Sequence, residues 1–280
     1  VLGKRSDGFH ELESLMVTVG LYDTLRFTSN SSGILQLHCR FAGLRDGASE
    51  QSAETLPVDF DNLVLKAARL LRDATGCTQG ANIELWKRIP LAAGLAGGSS
   101  DAAATLWGLD RLWNLNSPPR LLHEPAAQLG SDIPFFLSCS SAAICRGRGE
   151  IITPVAVPAG LQFVIARPAT GLSTAEVYRQ CRPETSVPGA NALVRALARG
   201  LLHEAGTKLH NTLQTVALEL NADVRRLRRM FARLPFTGHL MSGSGTSYFG
   251  LCRNRREAQH LAARLRAAGA GRVFVAATRP

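Results

Sequence analysis

Residues 89–105 read Ile89-Pro90-Leu91-Ala92-Ala93-Gly94-Leu95-Ala96-Gly97-Gly98-Ser99-Ser100-Asp101-Ala102-Ala103-Ala104-Thr105, and this stretch decides the fold. Ahead of it, Ala81 to Lys87 (ANIELWK) alternates apolar and polar residues, the period of a half-buried strand. Behind it, SSDAAATLWGLDRLWNL from Ser99 sets Leu106, Leu109, Leu112 and Trp113 on one side of a helix that Pro118 and Pro119 close. A strand, a small-residue turn and a helix in this order suit an anion. Little Cβ bulk shields the backbone N–H groups of the turn. The helix start at Ser99 adds free N–H groups and the positive end of the helix dipole. The Ser99 and Ser100 hydroxyls can add hydrogen bonds or ligate Mg²⁺. Gly94 to Ser100 carries no lysine in the Walker position, so this is not a G-x-x-x-x-G-K-[ST] loop. Asp101 occupies the last glycine position of G-x-S-x-G, which argues against a hydrolase nucleophile. The plain alternative is a small-residue helix–strand contact with no ligand.

Outward from the loop, residues 12–28 hold short β-type runs broken by Gly20 and Asp23, and residues 33–41 alternate as a further strand. A polar loop follows. Asn62 to Ala74 then has helical spacing, with Asp61 or Asn62 as N-cap and Gly76 as the stop. A short helix is expected over Leu121 to Leu129, and strands over 142–145 and 162–167. The two prolines of Pro154 to Gly160 mark a domain boundary, giving domains over 1–153 and 161–280. The second half reads as helices at 173–181, 190–204, 210–218 and 221–234, strands at 238–241 and 246–252, a helix at 255–268 and a strand at 272–277. The fold class is α+β.

The 280 residues are 45% hydrophobic and 19% charged, enough for packed cores and against a mainly disordered chain. No apolar run approaches the roughly 18 residues of a membrane span, and the start VLGKRSDGFHE has no signal-peptide core. The six cysteines form no C-x-x-C pair and have no histidine at metal-ligand spacing, the pattern of reduced structural thiols in a cytoplasm. The net charge of +10 comes from 28 arginines and 4 lysines against 22 acidic residues. Such a balance suits an anionic partner. Arg225, Arg226, Arg228, Arg229 and Arg233 cluster on one amphipathic helix, which a solvated face explains without nucleic acid.

The glycine-rich loop, with its G-G-S-S-D-A-A ending, resembles the phosphate loop of the GHMP kinases. Other segments fit the same family in the same order. Lys4-Arg5-Ser6-Asp7-Gly8-Phe9-His10-Glu11-Leu12 is similar to R-x-D-G-[YF]-H-E-L. Gly130-Ser131-Asp132-Ile133-Pro134-Phe135-Phe136 matches G-x-D-[VI]-P-F-F and is followed by Gly147-Arg148-Gly149-Glu150. His210-Asn211-Thr212-Leu213 is similar to N-[DT]-[LF], and Met241-Ser242-Gly243-Ser244-Gly245-Thr246 resembles M-S-G-S-G. Together they point to the branch that phosphorylates a cytidylyl-linked methylerythritol in the non-mevalonate isoprenoid (terpenoid) pathway. Ala92, Ala93 and Ala96 stand where many relatives have glycine, which is tolerable where φ stays negative. Thr212 replaces a common aspartate.

The resemblance implies a two-domain GHMP kinase fold with the active site between the domains, ATP and Mg as cofactors, and small-molecule partners. It implies no membrane or nucleic-acid partner, and a monomer or homodimer. Pro90, Leu91, Ala92, Ala93, Gly94, Leu95, Ala96, Gly97, Gly98, Ser99 and Ser100 would then hold ATP, with Asn62 and Lys87 nearby. Asn62 could be only an N-cap, and Lys87 only a solvated strand-end charge. Asp132 would accept or orient the substrate hydroxyl proton; its plain alternative is a capping aspartate before Pro134. Phe9 and Tyr178 would sandwich cytosine, His10 bond the base edge, and Thr174, Gly243 and Ser244 line the substrate side. The family's catalytic lysine lies in a P-A-K-x-N strand expected ahead of Val1; without that strand the chain is expected to be inactive. The rival readings are another GHMP kinase, such as a homoserine or mevalonate type, a basic nucleic-acid-binding protein without kinase activity, and a non-catalytic relative.

Overall fold

The structure, a computed structural model, describes residues 1–41, 61–184 and 189–279. The polar loop expected after residue 41 lies almost wholly outside the described residues. In chain order the elements are β1 (Gly3–Lys4), β2 (His10–Val17), β3 (Thr24–Asn30), β4 (Leu35–Phe41), α1 (Leu63–Thr75), β5 (Gly80–Lys87), α2 (Gly97–Leu112), α3 (Pro119–Leu129) and α4 (Ile133–Leu137). There follow β6 (Ala142–Gly147), β7 (Ile151–Pro154), β8 (Gln162–Arg167), α5 (Thr174–Gln180), α6 (Ala190–Ala198), α7 (Leu202–Thr207), α8 (Leu213–Leu220) and α9 (Ala222–Ala232). The last are β9 (Gly238–Met241), β10 (Tyr248–Cys252), α10 (Arg255–Ala267) and β11 (Arg272–Ala277).

These elements pack as two compact units, neither continuous in sequence. One comprises residues 21–91 and 96–139. Its sheet has the order β3-β5-β4, with β3 antiparallel and β4 parallel to the central strand. Along β5, Ala81, Ile83 and Leu85 face inward against Leu71 of α1 and Leu106 and Leu109 of α2. The expected α1 is present: Asn62 caps its start, and Gly76 ends it at φ 69°, the left-handed cap that glycine adopts without strain.

The other unit comprises residues 1–20, 92–95 and 140–280. It contains two antiparallel sheets, β1-β2-β6-β7 and β11-β8-β10-β9. Val177, Val224, Phe231, Tyr248 and Leu261 build its larger core. Two expectations change here. The helix expected over 190–204 is two helices, α6 and α7, because Gly200 takes φ 69° and bonds back to Leu197 O, a left-handed stop. The run read as a linker from Pro154 begins with the end of β7, an edge strand where proline is tolerated.

Candidate active site

Helix α2 begins at Gly97, two residues before the expected start, so Ser99 and Ser100 lie within its first turn. Ala96 is the N-cap and offers no side-chain acceptor. The N–H groups of Gly97, Gly98 and Ser99 therefore lack intrahelical partners and are available to an anion. Ser100 Oγ turns back to Gly97 O at 2.8 Å, whereas Ser99 Oγ makes no hydrogen bond among the described residues. The expectation of negative φ for the loop alanines is overturned at two positions. Ala92 has φ 46° and Ala96 φ 51°. The turn demands the left-handed region at both, where a Cβ costs on the order of 1–2 kcal/mol.

The Gly130-Ser131-Asp132 turn approaches this helix start. A Cβ placed on Gly130 would lie 3.8 Å from Ser99 Oγ. Asp132 occupies the N-cap position of α4, but its side chain caps nothing, which overturns the capping reading. Part of the residue reaches solvent, yet the protein packed around its carboxyl pushes the pKa up from the ordinary carboxylate value. Burial without an ion pair favours a group that takes up a proton.

Lys87 is not the solvated strand-end charge of the plain reading. It is 1% exposed and donates to Asp101 Oδ2 at 2.7 Å and to Asp23 Oδ2. Asp23 also accepts the backbone N–H groups of Arg88 and Ile89. Burial, with Asp23 adding and Lys87 opposing, raises Asp101 to about 7. Asn62 is an N-cap, its Oδ1 2.9 Å from Val64 N, and it is buried.

In the other unit, the tip of the glycine-rich loop seats on the later glycine turn. Ser242 Oγ donates to Gly94 O at 2.7 Å, and Ser247 N to Ala93 O at 3.0 Å. A Cβ on Gly94 would stand 2.2 Å from Ser242 O, so only glycine fits there. Asn211 Nδ2 bridges Met241 O and Gly243 O, at 2.9 and 2.8 Å. Thr174 Oγ1 and Ser244 Oγ are 2.9 Å apart. The His10 and Tyr178 rings lie 5.4 Å apart at 40°. Phe9 is 50% exposed, with the Arg148 guanidinium 4.7 Å above its ring. Burial, and then Lys4, pull the His10 pKa down, which favours the neutral imidazole with one donor and one acceptor nitrogen.

Two family models match the chain: GHMP kinases N terminal domain over residues 62–140 and GHMP kinases C terminal over 193–271. The 4-diphosphocytidyl-2-C-methyl-D-erythritol kinase of Alkaliphilus metalliredigens is 39% identical over 91% of this chain and 84% of its own length. The chain belongs to the 4-diphosphocytidyl-2-C-methyl-D-erythritol kinase family. The enzyme of that name from Bacillus subtilis is 36% identical over 93% of this chain and 86% of its own. A crystal structure of 4-(cytidine 5'-diphospho)-2C-methyl-D-erythritol kinase superposes with TM-score 0.79 at 35% identity, covering 99% of this chain and 93% of that one. A further neighbour, L. major mevalonate kinase, has TM-score 0.74 at 16% identity over 96% of this chain and 90% of its own, a likeness of fold alone.

Against that family background, four side chains at the site had no expected role: Asp23, Asp101, Asn211 and Arg148. Lys87 shares the inward parity of Ala81, Ile83 and Leu85, so the strand alternation itself signalled its burial. Asp101 lies one and two helical turns before the buried Thr105 and Leu109, the matching signal on α2. For Asn211 and Arg148 no periodicity points to the contacts, which come from segments far apart in sequence.

Proposed function

We propose that the chain phosphorylates the 2-hydroxyl of 4-diphosphocytidyl-2-C-methyl-D-erythritol, with ATP as donor, in the non-mevalonate isoprenoid pathway. The observation that carries this reading is the uncapped first turn of α2, approached by the Gly130-Ser131-Asp132 turn, whose half-buried Asp132 carboxyl caps nothing. Phosphoryl transfer asks a protein mainly for alignment and charge stabilisation. The N–H groups of Gly97, Gly98 and Ser99 bind the phosphates, and Asp132 takes the proton of the attacking hydroxyl. The hydroxyl of Ser99 suits a hard cation, and Mg²⁺ needs few protein oxygens when phosphates supply the rest. When bound it would neutralise charge on the transferring phosphate.

Phe9 and Tyr178 offer faces for cytosine, and neutral His10 can read the base edge. Thr174, Gly243 and Ser244 complete the substrate side. Asn62 contributes at the nucleotide, and a division at 154–160 falls between the two matched family models, although within the compact unit that includes residues 140–280. The six cysteines, none of them in a disulfide among the described residues, suit a reducing cytoplasm.

The test is ADP release with the cytidylyl substrate, homoserine and mevalonate. It is run on the 280-residue chain and on a version extended ahead of Val1 by a P-A-K-x-N strand. Release with the cytidylyl substrate alone is expected; release with another acceptor, or none from either chain, rejects the reading. Phe9→Ala should raise KM for the cytidylyl substrate about tenfold, as loss of one stacking face at 1–3 kcal/mol implies, and leave KM for ATP unchanged. Equal effects on both substrates would argue against stacking.

A further inference from the structure

The glycine-rich turn leaves β5 immediately after Lys87 and returns into α2 at Gly97, one helical turn before Asp101, and Lys87 and Asp101 meet. Their ion pair closes the neck of the turn. Asp23 ties the same ammonium to the backbone of Arg88 and Ile89, the first residues of the outgoing chain. The returning chain is fitted against the same point: a Cβ on Gly97 would lie 2.7 Å from Ile89 Cγ2 and 3.4 Å from Lys87 Nζ. An ammonium with 1% exposure is held by two carboxylates and turned away from solvent. Such a cluster does not persist for stability alone, since packed apolar residues of similar volume hold a core equally well. What ionic contacts add is a fixed geometry between the groups they join.

We propose that Asp23, Lys87 and Asp101 form a clasp that fixes both arms of the phosphate turn, so that Lys87 and Asp101 are positioning residues for the nucleotide and not its ligands. The inference rests on the kinase reading in one respect, that the turn binds nucleotide phosphates. Its logic is steric. The N–H groups of Gly97 to Ser99 converge on an anion only while α2 is held at a set distance from the end of β5. A shift of about 1 Å at such a site can cost on the order of a hundredfold in rate or binding.

The experiment measures the affinity of trinitrophenyl-ATP by fluorescence, and KM for ATP and kcat by ADP release. The proteins are wild type, Asp101→Ala, Asp101→Asn, Lys87→Met and the Lys87→Met/Asp101→Ala double variant. Asp101→Ala is expected to weaken nucleotide binding about tenfold with kcat little changed, and Asp101→Asn, which keeps the shape and one acceptor, by less. Because the residues act as a pair, the double variant should lose no more than the worse single variant. Nucleotide affinity unchanged in Asp101→Asn and Asp101→Ala, or losses that simply add in the double variant, overturns the clasp. If Asp101→Ala fails to fold, as judged by near-UV circular dichroism, the isosteric Asp101→Asn decides the matter: unchanged affinity there overturns the proposal. Wild type that binds the nucleotide but turns over neither as the 280-residue chain nor with the P-A-K-x-N extension would reject the kinase reading and leave the clasp standing. Wild type and variants that turn over alike would do the reverse.

Discussion

Ala96 holds a backbone conformation that its own methyl group opposes. At φ 51° it caps a helix without a capping side chain, a position where glycine sits without strain. Ala96→Gly is therefore expected to raise stability by about 1 kcal/mol, read as a higher thermal midpoint; a lower midpoint would mean that the methyl contributes packing that outweighs the strain. Asp132 carries strain of an electrostatic kind. Its folded pKa is raised, so the residue favours folding most below the ordinary carboxylate range, and that contribution is lost as pH rises through the folded pKa. Ionising this carboxyl as pH rises therefore costs stability. Asp132→Asn should melt higher than wild type at pH 7–8, with the difference shrinking towards about pH 4. Turnover should fall by about 10²–10⁴-fold while nucleotide still binds. Near-normal turnover would remove Asp132 from the proton-accepting role.

At the level of elements, local chemistry explains most boundaries. The Asn62 cap and the Gly76 stop delimit α1 within one residue of the expected range, because both signals are local. The start of α2 differed because its cap is made by backbone conformation, which an alanine does not announce. The split of α6 from α7 was legible in Gly200, whose weight was outvoted by apolar spacing on either side. β7 escaped notice because four residues ending in proline look like linker until paired with β6. Asn62 allows capping and nucleotide contact to be separated. Asn62→Ala should lower unfolding free energy by about 1 kcal/mol in urea titration, and Asn62→Ser should restore it. KM for ATP is expected to stay raised in both variants. A KM that recovers with the cap would show that Asn62 serves the helix alone.

For the whole molecule, what could not be read was long-range pairing. β2 pairs with β6 through partners such as Leu12 and Gly147, and the tip of the phosphate loop packs on Ser242 and Ser247. Periodicity carries no information on such partners. The motifs at Phe9, Gly94, Asp132 and Gly243 were legible because their residue types are demanded by turns and polar groups. The residues that hold them, Asp23, Asp101 and Asn211, were not, since each is an ordinary polar residue until its partner is known. The net charge of +10 is carried partly by α9, where Arg225, Arg226, Arg228 and Arg229 are exposed. Arg225 and Arg226 donate to backbone carbonyls of Leu218, Glu219 and Ala268, which accounts for two of them as local ties. Two anionic small substrates suit such a charge as well as nucleic acid does.

The central claim is transfer of a phosphoryl group to one hydroxyl, and the most direct measurement follows that group. ATP labelled at the γ-phosphate is incubated with the cytidylyl substrate and the protein, and the product is separated and mapped by phosphorus NMR. The account predicts label on the 2-hydroxyl of the methylerythritol unit, in step with ADP formed. Label on another acceptor position, or ADP formed with no labelled cytidylyl product, would contradict it.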